Sequence, residues 1–200
     1  MMTDAAIQSD PLPVGSIGRR TSGWYGMLAL IMTEGALFAY LLFSYYYFAV
    51  QYGREWLPPK LPELRLSLPN TIILLASSVT AWSGQRGLRS GRKDDLLWGL
   101  LLSIVLGAIF MVVQGFEWAG RPFTMASAAY GSVYFTVTGL HMMHVAAGLV
   151  ILIFLLVWSR LDYFDRKRNA PLVIGIIYWQ FVDVVWLALF FTFYITPRLG

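Results

Sequence analysis

Residues 178 to 195 read YWQFVDVVWLALFFTFYI. The run is almost wholly apolar or aromatic, and as a helix rising ~1.5 Å per residue it spans nearly the ~30 Å hydrocarbon layer of a bilayer. It nevertheless holds a carboxylate, Asp183. On an insertion scale a charge at the bilayer centre costs at least ~2.5 kcal/mol, so Asp183 needs a partner or a purpose. It is expected to accept a hydrogen bond from a neighbouring helix, with a histidine or an aromatic N–H or O–H as donor. Trp179 and Trp186 flank it at i−4 and i+3.

The remainder of the chain has the same character. Of its 200 residues 58% are hydrophobic and only 13% charged, and the mean hydropathy is +0.61. A soluble domain is about one-quarter charged, so the composition points to lipid. The net charge of +4 comes from short basic clusters between apolar runs, which serve membrane topology rather than nucleic-acid binding. The absence of cysteine excludes disulfides, iron–sulfur clusters and thiolate-bound copper. There are just two histidines, His141 and His144.

Five uncharged runs are long enough to span: Trp24 to about Phe48, Leu66 to Ser83, Leu96 to Trp118, Tyr130 to Trp158 and Leu172 to Thr196. They predict an all-α polytopic bundle over residues 23 to 200, preceded by a polar tail over residues 1 to 22. The second run has Pro69 and Asn70 near its start and several serines and threonines, and it is expected to be covered by its neighbours. Arg and Lys counts are two, four and four in the tail, Gly84–Asp95 and Ser159–Pro171, against three, one and one on the opposite side. This bias predicts a cytoplasmic N-terminus and an outside C-terminus. Trp24, Trp98, Trp118 and Trp158 lie at span ends, where indoles favour the interface, and the run SYYYF at 44 to 48 reads as an outer interfacial belt. In the third span Gly99, Ser103, Gly107 and Gly115 form a stripe interrupted by Met111, a pattern that lets another helix approach closely. An odd number of spans without an internal repeat argues against an inverted-repeat transporter.

Counting residues from the span ends places Glu34, His141 and Asp183 near the midplane, and His144 shares the face of His141. Two readings stand. The four groups make structural interhelical hydrogen bonds of ~0.6 to 2 kcal/mol each, or they form a proton-active or lipid-contacting site. A metal held by His141, His144 and Glu34 has only a common spacing in its favour, and two histidines on one helical face cannot ligate opposite sides of one haem. Glu117 reads as a solvated interfacial carboxylate or a partner for Arg121.

Four stretches, IMTEGALFAYLLFSYYYF (31–48), NTIILLASSVTAW (70–82), YGSVYFTVTGLHMMHVAAG (130–148) and YWQFVDVVWLALFFTFY (178–194), resemble subunit III of the haem–copper terminal oxidases, in a five-helix form. VVQGFEW at 112–118, with Gln114 and Glu117, matches a further helix of that family. The resemblance implies a non-catalytic subunit of a proton-pumping cytochrome c or quinol oxidase in a bacterial cytoplasmic membrane. Such a subunit packs on subunit I beside subunit II, binds phospholipid and sustains proton uptake, while haem and copper reside in the partner subunits. By motif position Glu34 matches the family's carbodiimide-reactive glutamate. His141, His144, Tyr178, Trp179, Asp183 and Trp186 match its other motif residues. The chain independently lacks the ~6 histidine ligands of a subunit I and the cysteines of a two-copper subunit II.

Three departures stand out. Larger members have seven helices, so part of the lipid cleft is expected to be missing here or supplied by another subunit. Gln180 stands where the family usually has histidine, and no acidic residue lies between Asn169 and Tyr178, where many members carry a glutamate. The alternatives are a subunit-III-like accessory protein of nitric oxide reductase and, from another class, a stand-alone proton or ion carrier.

Overall fold

A computed structural model describes residues 22–58, 61–62, 64–164 and 169–199. The tail expected over residues 1 to 22 lies outside them except for Ser22, which already belongs to the first helix. Arg19, Arg20, Lys60, Arg166, Lys167 and Arg168 of the orientation argument also lie outside. The chain forms α1 (Ser22–Tyr52), α2 (Leu64–Arg89), α3 (Lys93–Ala119), α4 (Ala129–Arg160) and α5 (Ala170–Phe190). A π-helical turn (Phe191–Ile195) and a last helical turn (Thr196–Leu199) prolong α5. Among the described residues there is no strand. All five helices are long and apolar enough to cross a membrane, and the protein is an integral membrane protein.

The ends of the helices follow local chemistry. Asp94 and Asp95 in the first turn of α3 complement its dipole, and Pro171 opens α5 where its missing N–H is not needed. Gly91, at φ +86°, turns the chain between α2 and α3 in a conformation that suits glycine. The second helix runs past the expected Ser83 because Gly84, Gln85, Gly87 and Leu88 are buried against α3. A Cβ on Gly99 would stand 2.7 Å from the Thr80 carbonyl oxygen and 2.8 Å from Gly84 Cα, so the two backbones nearly touch. Ser103 Oγ adds bonds to the Ser77 carbonyl (2.6 Å) and Thr80 Oγ1 (2.7 Å).

The small-residue stripe of α3 therefore divides. Gly99 and Ser103 serve α2, whereas Gly107 makes room for Trp179 of α5 and Leu149 of α4. Gly115 meets nothing within 4 Å. The most enclosed span is α5, which packs against α1, α2 and α4. The expectation that α2 is covered by its neighbours holds for one face only, because Leu66, Leu68, Ile72, Val79 and Trp82 remain exposed. Its hydroxyls face inward and receive the α5 indoles: Trp179 Nε1 donates to Ser77 Oγ at 3.0 Å and Trp186 Nε1 to Thr71 Oγ1 at 2.9 Å. A buried donor needs such an acceptor, which accounts for the unusual polarity of the second span. Trp179 fits because Gly148 has no side chain; a Cβ there would lie 2.7 Å from Trp179 Cε3.

The outermost helix is α1, of which only Phe38 and Tyr45 are buried. The aromatic run at 44 to 48 is thus not simply a belt. Tyr46 and Tyr47 are exposed, but Tyr45 is packed among Trp56, Tyr130 and Phe193 with centroids 5.1, 6.3 and 5.2 Å away.

Candidate functional site

Two polar regions lie within this apolar bundle. The first is at mid-height, where α1 meets α4. Glu34 Oε2 lies 3.2 Å from His144 Nε2, and His144 Nδ1 lies 2.8 Å from the Leu140 carbonyl oxygen. A carbonyl oxygen can only accept, so Nδ1 carries a hydrogen in every state that keeps this bond. The Glu34–His144 contact then holds one proton in either of two ways. A protonated Glu34 donates to a neutral imidazole, or an imidazolium donates to the Glu34 carboxylate. The two side chains are 28% and 15% exposed, on the outside of the bundle. Phe38 lies edge-on to His144 at 5.0 Å, and Tyr178 Oη donates to the His144 carbonyl oxygen at 3.4 Å.

His141 does not join that pair. It is fully buried, stacked on Trp186 at 5.1 Å with its edges towards Phe110 and Phe38, and neither ring nitrogen is hydrogen-bonded to a described residue. Asp183 is buried as well, facing Ser78 of α2, yet neither carboxylate oxygen nor the Ser78 hydroxyl completes a hydrogen bond. The expectation of an aromatic or histidine donor to Asp183 is overturned. Trp179 and Trp186 point their N–H groups at Ser77 and Thr71, and no described histidine bonds to Asp183. The reason is geometric: both indole N–H groups are committed to α2 hydroxyls. Gln114 is fully buried with an unpaired amide, whereas Gln180 is exposed on the outer face of α5. Among the described residues no group of three or more His, Cys, Asp or Glu is placed to hold a metal ion.

The second region lies at the end of the bundle that carries the C-terminus of α3 and the N-terminus of α4. Glu117 and Arg121 form an ion pair with side chains only 4% and 6% exposed. Glu117 Oε1 also accepts from Tyr194 Oη at 2.7 Å and Ser67 Oγ at 3.1 Å. Arg121 donates to Tyr134 and Tyr194 Oη, both at 3.2 Å, and these two hydroxyls lie 3.1 Å apart. Burial by itself lowers the Arg121 pKa. Tyr134, Tyr194 and Glu117 outweigh it, and the net shift is upward, so the guanidinium stays charged. Glu117 is thus the partner of Arg121, but it is buried rather than solvated.

Tyr194 reaches Glu117 from the π-helical turn, whose wider winding also brings Thr192 Oγ1 within 3.1 Å of Tyr46 Oη. The segment before α2 is tied in by Arg198, which donates to the Tyr194 carbonyl and, at 2.5 Å, to that of Pro62. One carboxylate and one guanidinium therefore join α2, α3, α4 and the end of α5.

Most of the chain matches known proteins in sequence. A family model described as cytochrome c oxidase subunit III matches residues 18–197. The chain belongs to the cytochrome c oxidase subunit III family. Among the subunit III relatives, cytochrome c oxidase subunit 3 of Pan troglodytes is 33% identical over 177 residues, 85% of this chain and 68% of the relative. The proteins of the same name from Drosophila melanogaster and Homo sapiens are 32% and 33% identical over the same shares. As a member of an oxidase subunit family the chain is part of an oxidoreductase complex with other oxidase subunits.

Sequence reasoning missed Phe38, Ser67, Ser78, Tyr134 and Tyr194. For Tyr194 the signal was hidden, because a regular helix would aim it elsewhere. Ser67 and Ser78 had only the general excess of hydroxyls in the second span to mark them.

Proposed function

We propose that the chain is the non-catalytic subunit III of a proton-pumping haem–copper oxidase. It sits in a bacterial cytoplasmic membrane with its N-terminus inside. It packs on subunit I, contacts subunit II, holds phospholipid and sustains proton uptake, and haem and copper belong to the partner subunits. The observation that supports this reading most is the Glu34–His144 pair, a one-proton device at mid-membrane height that is partly open to the outside of the bundle. Intramembrane ionisable groups are functional candidates by default. His141 and Asp183 belong to the supporting layer behind it.

Proton retention, rather than electron transfer, is the chemistry these residues can perform. The Leu140 carbonyl fixes the His144 tautomer, Phe38 excludes water from the inner side, and the proton moves between Glu34 Oε2 and His144 Nε2. The test is the purified complex assayed over many turnovers with Glu34→Gln. Loss of activity that is faster than wild type, from an equal starting rate, is the expected result. Equal decay would remove the proton-related role. The isolated folded chain is expected to carry no haem or copper, and a stoichiometric Soret band in it would overturn the non-catalytic assignment.

A further inference from the structure

The inner face of α3 carries Phe110, Gln114, Glu117 and Arg121 on successive turns, all with buried side chains. Antiparallel to it, α2 keeps a register that sets Gly84 beside Gly99, Thr80 Oγ1 beside Ser103 Oγ and Ser67 Oγ beside Glu117 Oε1. Asn70, one turn on from Ser67, therefore stands opposite Gln114, and its Nδ2 donates to the Phe110 carbonyl oxygen at 3.2 Å. On α4 the ring contacts Phe135–Trp118 and His141–Phe110, at 6.0 and 6.2 Å, bracket Gln114 and bring His141 to the Phe110 side of the same layer.

That layer is polar and unanswered. Asn70 Oδ1, both ends of the Gln114 amide and both ring nitrogens of His141 are buried without a hydrogen bond to a described residue, and so are Glu117 Oε2 and Arg121 Nε on the next turns. Buried polar groups are almost always paired, with protein or with ordered water. Acceptors are present in Asn70 Oδ1 and Gln114 Oε1, a donor in Gln114 Nε2, and one of each on a neutral imidazole. An anion would answer only the donors, and a metal ion only the acceptors. A small neutral molecule that both donates and accepts answers all of them, and water is the molecule of that kind.

Access is provided at the α3–α4 end of the bundle. A cavity of about 240 Å³ opens there with Leu66, Phe116, Glu117, Gly120 and Arg121 in its wall. At ~30 Å³ per molecule it has room for several waters. At the opposite side of the layer Phe110 and Trp186 close together, edge to face at 4.8 Å.

We propose that Asn70, Gln114 and His141 form an internal water-binding site, filled through the cavity at Glu117 and Arg121. Phe38 packs edge-on to both His141 and His144, and the water site is separate from the Glu34–His144 pair and independent of its proton role.

X-ray radiolysis of the full chain in lipid nanodiscs, read by mass spectrometry, tests the site, because hydroxyl radicals made from a bound water oxidise the side chains it touches. Phe110 is expected to be oxidised about fivefold more than Phe193, an equally buried phenylalanine packed among tyrosine rings. Oxidation of Phe110 no greater than that of Phe193 overturns the proposal, and this comparison needs no variant. Gln114→Leu keeps the volume and removes the amide, so Phe110 oxidation should fall to the Phe193 level. Unchanged oxidation in that variant would show that the amide holds no water and would overturn the site. Mixing with 18O-labelled water before the pulse tests the entrance. Leu66→Trp, at an exposed position on the cavity wall, is expected to slow the appearance of 18O at Phe110 about tenfold. Appearance at the wild-type rate overturns filling through this cavity.

Discussion

The two polar regions differ in how completely the fold answers them. At the α3–α4 end, Glu117 Oε1 takes three donors and Arg121 reaches three acceptors, so a nearly sealed ion pair joins four segments, with Glu117 Oε2 and Arg121 Nε left without a partner among the described residues. At mid-height the polar groups are more numerous but poorly answered: Glu34 has His144 alone, while His141 and Asp183 have no hydrogen-bond partner among the described residues. A buried charge tolerates its site only when its desolvation is offset by good geometry, as at Glu117. Groups left under-satisfied in an apolar bundle weaken it, and their presence is better explained by what they do than by what they hold.

That contrast makes the Glu117–Arg121 region the place where substitutions should hurt stability most. Arg121→Ala leaves Glu117 buried and uncompensated, and a loss of ~3 to 5 kcal/mol is expected, read as early heat-induced loss of the folded, monodisperse chain. The double variant Glu117→Leu with Arg121→Met should recover most of that loss, since no charge is then left alone. If Arg121→Ala melts like wild type, the region is not structural and the contrast collapses. Tyr194→Phe is the next step down. It deletes the 2.7 Å donor to Glu117 and a partner of Tyr134, for ~1 to 2 kcal/mol in the same assay.

How much of this was legible in the sequence depended on whether the signal was local. Five spans follow from run length and hydropathy alone, and a close helix contact on α3 follows from small residues at helical spacing, because backbone approach needs only the absence of side chains; that α2 makes it at Gly99 and Ser103, and α5 at Gly107, does not. The pairing of Glu117 with Arg121 was readable from i, i+4 spacing. Tyr194, Tyr134 and Ser67 were not, since they converge from separate helices and one of them depends on a π-helical turn that the residues FTFYI do not advertise. The midplane layer was found as a depth, yet depth does not fix direction. Glu34 and His144 meet, while Asp183 turns to Ser78 because α2 already occupies both neighbouring indoles.

Asp183→Asn sharpens the contrast from the other side. No protein hydrogen bond is lost, the shape is kept and an unpaired carboxyl is removed, so stability should change by under ~1 kcal/mol in the melting assay. A larger loss would mean that Asp183 is engaged after all and belongs with Glu117 as a structural group. Normal assembly with faster loss of activity during sustained catalysis would instead give its carboxyl a proton-linked role.

Glu34→Gln should have the smallest effect on stability and the most informative effect on function. The glutamine amide can donate to His144 Nε2 just as a protonated Glu34 does, and both side chains are partly exposed, so the contact survives within ~0.5 kcal/mol. What disappears is the second state, in which the carboxylate faces an imidazolium. If the pair holds a proton, Glu34→Gln and His144→Asn should each shorten the active lifetime of the complex, and the double variant should be no worse than the stronger single one, because both remove the same shared proton. Independent, additive effects would show that the two residues act separately, and the mid-height contact would then be a weak structural bond on the outer face of α1.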